Sequence, residues 1–138
     1  MSRPPLPVAL AAAATGGVIG SLVRYGLTIR FPIGTGFPWT VFWINVSGCA
    51  LLAALPALAA VRRTPWLGVF LGTGVLGGFT TMSAASTETV SLFQAHRAGT
   101  AVAYSGGTLL AALVAAWLVS RRIDPAVRDA AEQNEIDL

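Results

Sequence analysis

Few side chains in this 138-residue chain could do chemistry, and most of them sit inside apolar runs. Asn45 lies in "VFWINVSGCALL", where its amide can donate two hydrogen bonds and accept others. Thr80, Ser83 and Thr87 recur at i, i+3, i+7, and Thr100, Tyr104 and Thr108 at i, i+4, i+8. On helices each set shares one face. Two hydroxyl stripes plus an amide, almost without charge, suit a track for something small. They do not suit a covalent reaction: the chain shows no nucleophile–base pair and no metal-ligand cluster, so an enzyme is not expected. Asn45 has two readings, a pore-lining donor or an interhelical hydrogen bond worth about 0.6 kcal/mol. Glu88 is the one embedded acid, and an intramembrane acid is a functional residue by default. Its alternative is to cap a helix end or pair with Arg24 or Arg97. Cys49, the single cysteine, reads as a small packing residue. His96 has no acid or cysteine at ligand spacing.

The elements that must position these groups are apolar helices. Hydrophobic residues make up 54% of the chain and charged ones 11%, against roughly 25% charged in soluble domains. Mean hydropathy is +0.68. Leu6 to Val23, Phe31 to Val61, Trp66 to Thr87 and Ala98 to Ser120 carry no charge. A crossing needs about 20 apolar residues, so each run holds one span. The chain is expected to be an all-α integral membrane protein of four transmembrane helices. A secretory signal at the N-terminus is the rival reading of the first run, but the apolar pattern continues past Gly20 without a break. Trp39, Trp66 and Trp117 fall near span ends, as interfacial aromatics do.

"RFPIGTGFP", "RRTP" and "QAHRAG" punctuate the spans. Residues 1–122 form the expected transmembrane domain. Residues 123–138 form a polar tail, in which five of the six acids lie between Asp124 and Asp137. All nine basic residues are arginine. Four spans place Arg3, Arg62, Arg63, Arg121, Arg122 and Arg128 on one face, with Arg30 and Arg97 opposite and Arg24 near them. Positive residues favour the cytoplasm, so both termini are expected there, in a cell-membrane protein. The basic pI then reflects topology, and no nucleic-acid surface is expected.

Gly16/Gly20, Gly68/Gly72 and Gly74/Gly78 are spaced for close helix approach. Packing leaves "GGFTTMSAAS" (77–86) unexplained, since paired glycines before two β-branched threonines weaken a helix. A break at membrane depth is tolerated only where the freed backbone is buried in protein or lines a wet cavity. Helix three is therefore expected to break near its middle, and freed carbonyls there are natural ligands for a small cation.

Over roughly Gly16 to Trp117 the chain resembles the Fluc (CrcB-type) fluoride channel family. The resemblance rests on "GGVIGSLVRY", "VFWINVSGC" and above all "GTGVLGGFTTMSAAS", in that order on a four-span chain. It implies a subunit that exports fluoride passively and so relieves fluoride toxicity, working as an antiparallel dimer with two pores. It also implies a structural sodium ion at the dimer centre, on backbone carbonyls matching Gly77 and Thr80. The pore asparagine matches Asn45, and Tyr104 and Thr108 are similar to the helix-four polar track. Thr81 and Ser83 complete the anion path that the resemblance suggests, while Arg24 and Glu88 take structural or vestibule positions. Neutral donors fit such a path, because conduction needs binding weak enough to permit exit.

The chain departs from the family pattern at Met82 and Ala85, where phenylalanines normally offer ring edges to the ion. Phe79 is near, with a direction the sequence does not give. Two readings follow: a partner of related sequence supplies the rings, or a homodimer conducts through other donors. The arginine bias favours the first, because a subunit of fixed orientation needs an oppositely oriented partner. Two other classes stay open, a small multidrug-type proton-coupled exporter relying on Glu88 and a non-conducting structural subunit.

Overall fold

The computed structural model describes residues 4–32, 34 and 36–123, all in helices and their connections. The acidic residues from Asp124 onward lie outside the described residues, as do Arg3 and Arg128. Four stretches are long and apolar enough to cross a membrane: Leu6–Arg30, Trp39–Ala57, Pro65–Gln94 and Ala98–Ser120.

Helix α1 (Leu6–Arg30) begins behind Pro5, and α2 (Trp39–Ala54) behind Pro38. Proline favours a helix start, where no N–H partner is lost. A single 3-10 turn at Leu55–Ala57, containing Pro56, closes the second span. Helix α3 (Ala59–Arg63) follows, and the Arg62 guanidinium donates to the Pro56 and Ala57 carbonyls at 2.8 and 3.0 Å. A cation on the end carbonyls of a helix is favourable through both hydrogen bonding and the dipole.

The third span has four parts: α4 (Pro65–Gly68), a π-helical stretch Val69–Leu76, α5 (Gly77–Phe79) and α6 (Met82–Gln94). The break is narrower than the sequence suggests. Gly77 keeps helical angles (φ −64°, ψ −37°), and only Thr80 (−75°, 154°) and Thr81 (−150°, 114°) are extended. The glycines answer to packing. A methyl group on Gly78 would strike the Gly17 carbonyl, and one on Gly20 would strike the Val75 carbonyl. A methyl on Gly74 would lie 2.9 Å from the Gly16 Cα. The Gly16/Gly20 and Gly74/Gly78 pairs thus let two backbones touch. Gly68 and Gly72 make no such approach; a methyl there would meet side chains at 3.6 and 3.4 Å.

Helix α7 (Ala98–Ser120) buries Ala101, Tyr104, Thr108 and Ala112 on one stripe. It packs on α2 and α6, whereas α1 packs on the first half of the third span. Leu10, Leu22 and Leu110 are more than 60% exposed, which suits a chain whose solvent is hydrocarbon. Trp39, Trp66 and Trp117 are all exposed near span ends.

Candidate anion path and cation site

The break lies at the midpoint of the 30-residue third span. Two peptide groups pulled out of a helix there need partners, and Asn45 supplies them. Its side-chain oxygen accepts from the Thr81 N–H at 2.8 Å, and its Nδ2 donates to the Thr81 carbonyl at 3.1 Å. The amide therefore acts as a one-residue strand partner, holding the extended peptide in register with α2. An amide is the side chain that can do both, since it carries a donor and an acceptor side by side. The second Nδ2 hydrogen has no role in this pair. Asn45 accordingly makes an interhelical bond, one of its two readings, with one N–H left over from the pair.

Thr81 then starts α6. Its hydroxyl accepts from the Ala84 N–H at 3.1 Å, an N-cap, and lies 3.2 Å from the Ser83 hydroxyl. These bonds decide which carbonyls are released. In an unbroken helix the Gly77 carbonyl would accept from Thr81 N–H, and the Thr80 carbonyl from Ala84 N–H. Both donors are engaged elsewhere. Between those positions, the Gly78 carbonyl accepts from Arg24 Nε at 3.2 Å and from the Ser21 hydroxyl at 3.4 Å. Arg24 is thus fixed to the break, three residues along α1 from Ser21 and on the same face. Ser21 was not singled out from the sequence. Its signal was present, a hydroxyl one turn before Arg24 on a helix whose glycines already face the third span.

The two hydroxyl stripes point differently. Tyr104 is fully buried and Thr108 nearly so, whereas Ser83 and Thr87 are exposed. Thr108 donates to the Tyr104 carbonyl at 2.6 Å, and Thr87 to the Ser83 carbonyl at 3.0 Å, so both protons are engaged with their own helices. The Tyr104 hydroxyl differs: it is buried and has no partner among the described residues. Its ring meets Phe37 edge-on (centroids 5.3 Å, 86°) and shares a cluster with Leu92, Phe42 and Ala85. An unpartnered buried hydroxyl is costly unless something fills the gap. Glu88 is half-buried on α6, the helix that packs against α7.

Met82 is 78% exposed, turned away from this cluster, while Ala85 packs into it. Phe79 lines a groove of about 360 Å³ with Leu27, Phe31, Trp39, Trp43 and Ser47. On α2 those groove positions lie away from Asn45 around the helix.

The sequence matches the family described as CrcB-like protein, Camphor Resistance (CrcB), over residues 11–120. It is 41% identical over 121 residues to "Fluoride-specific ion channel FluC 1" of Streptomyces coelicolor, covering 86% of this chain and 78% of that one. It is 41% identical over 113 residues to "Fluoride-specific ion channel FluC" of Thermus thermophilus (76% and 85% covered). To "Fluoride-specific ion channel FluC 2" of Thermobifida fusca it is 44% identical over 112 residues (77% and 81% covered).

Proposed function

The chain belongs to the CrcB-like family, and on that premise we propose that it is a fluoride-specific channel subunit, moving fluoride passively across the cell membrane and so relieving its toxicity. The observation that carries this reading is the reciprocal Asn45–Thr81 pairing at mid-span, which builds a hydrogen-bonded break where a bilayer would otherwise forbid one.

Residues 1–122 are the channel domain. The anion path runs past Asn45, Thr81, Ser83, Tyr104 and Thr108. Asn45 offers its remaining N–H, and Tyr104 offers the unpartnered hydroxyl. Thr108, with its proton engaged on the Tyr104 carbonyl, contributes shape alone. Neutral donors bind a small anion without trapping it. Arg24 and Glu88 flank the path, Arg24 by bracing the break and Glu88 from α6 where it packs on α7.

The Gly77 and Thr80 carbonyls fit a structural sodium ion, because the break's own bonds withdraw their helical donors. When bound, such an ion would supply a fixed positive charge to these carbonyls. An antiparallel dimer suits the exposure of α6: Met82, Ser83 and Thr87 face outward, where a partner can complete the path. That partner is a second copy or a related subunit. The related subunit is favoured, since neither Met82 nor Ala85 can offer a ring edge to the ion. Both chain ends face the cytoplasm, the side on which Arg62, Arg63, Arg121 and Arg122 lie, with Arg30 and Arg97 opposite.

The test is fluoride efflux from liposomes loaded with this chain alone, then with a related ring-bearing subunit. Selective efflux from the chain alone establishes the homodimer. Efflux only from the mixture establishes the two-subunit channel. No selective efflux from either overturns the proposal.

A further inference from the structure

The cytoplasm-assigned end of the molecule carries an apolar groove that the channel reading does not use. It measures about 460 Å³ and lies between the start of α1 and the start of the third span, lined by Pro7, Val8, Ala11, Thr15, Trp66 and Phe70. Thr15 is its only hydroxyl, and that hydroxyl donates to the Ala11 carbonyl at 2.7 Å, leaving an apolar wall. From Pro7 to Thr15 the groove runs about 12 Å down α1 at 1.5 Å per residue. That is a trough along the membrane normal, open to hydrocarbon and too narrow in chemistry for a polar ligand.

Two arginines precede the trough's tryptophan in the chain. Thr64 alone separates Arg63, at the end of α3, from α4, whose second residue is the groove-lining Trp66. The two neighbouring arginines behave differently. Arg62 is occupied by the Pro56 and Ala57 carbonyls, whereas Arg63 is exposed and makes no side-chain hydrogen bond among the described residues. Trp66 is 46% exposed, as a side chain at headgroup depth is. Glu88, the one acid among the described residues, lies beyond the break on α6.

An apolar trough about 12 Å long, most of the depth of one leaflet, with an interfacial tryptophan in its wall and an exposed cation three residues before that tryptophan, matches one ligand chemistry. We propose that this groove binds an anionic phospholipid, its acyl chain against α1 and its phosphate on Arg63. The site is independent of which ion the subunit conducts. An arginine near an anionic membrane surface contributes about a fivefold preference.

The full chain, purified in detergent and titrated with phosphatidylglycerol or phosphatidylcholine, is read by native mass spectrometry. One phosphatidylglycerol is expected to be retained per subunit, about fivefold more tightly than phosphatidylcholine. Arg63→Gln abolishes that preference and Arg63→Lys keeps it. Ala11→Phe, at an exposed groove position, lowers retention of both lipids with the fold and oligomeric state intact. Equal retention of the two lipids, or an Arg63→Gln chain that still prefers phosphatidylglycerol, overturns the proposal. So does an Ala11→Phe chain whose oligomeric state changes while its lipid retention does not, which assigns the groove to a second copy.

Discussion

The third span meets its surroundings in two ways. From Phe70 to Phe79 it lies close on α1, backbone touching backbone at Gly16, Gly20, Gly74 and Gly78, where there is no room for a methyl group. From Met82 to Gln94 it rests on α7 through Leu92 and Ala85 and turns Met82, Ser83 and Thr87 outward. The first half is held by shape and the second by a few bonds at its two ends. Asn45 and the Thr81 cap hold its start. A subunit built this way has one wall packed backbone to backbone and one face left exposed.

The contrast breaks first if its rigid half tolerates added bulk. Gly20→Ala puts a methyl group into the Val75 carbonyl and 2.8 Å from the Phe79 N, neither of which can swing aside. It should destabilise the protein by about 3 kcal/mol, the upper end for overpacking. Gly17→Ala, with nothing near its added methyl, is the control and should be neutral or slightly stabilising. Thermal unfolding in detergent reads both, and an unaffected Gly20→Ala would remove the backbone contact from the account.

The second half is sharpened at its anchor. Asn45→Asp keeps an acceptor for the Thr81 N–H but loses the donor to the Thr81 carbonyl and adds a negative charge at mid-span. A carboxylate there repels a passing anion by about 4 kcal/mol at close range, so fluoride efflux should fall by about 100-fold or more. Flux equal to the parent chain would take Asn45 out of the path. Thr81→Val, nearly the same shape, removes the cap on Ala84 and should cost about 1 kcal/mol of stability.

Much of this was legible in the sequence, for reasons that differ by residue. The four spans follow from apolar length alone. Asn45 and the region of the break stood out because an amide and adjacent β-branched residues are conspicuous among aliphatic ones. The division of labour within "GGFTT" was not legible. A glycine that allows a helix to bend and a glycine that allows two helices to touch are the same letter, and only the Gly17 carbonyl beside Gly78 separates them. The π-helical stretch from Val69 to Leu76 left no pattern of its own. The hydroxyl stripes were visible as spacing, yet spacing cannot tell a buried stripe from an exposed one. That depends on which neighbour the helix leans against.

The smallest effect tests the loose half at its far end. Helix α6 closes with the Arg97 N–H on the Leu92 carbonyl at 2.9 Å and the His96 N–H on the Phe93 carbonyl at 3.0 Å. This closure puts His96 at φ 56°, in the left-handed region that glycine occupies without penalty. His96→Gly relieves the side chain's steric cost and adds some entropy to the unfolded chain, for a net gain of about 0.5 to 1 kcal/mol. If α6 opens independently of the rigid half, hydrogen exchange should slow about threefold in the amides of its last turns, with residues 65–79 unchanged. Equal slowing on both sides of Thr80 would mean that the whole span opens as one unit, and the distinction between its halves would be one of packing without a difference in motion.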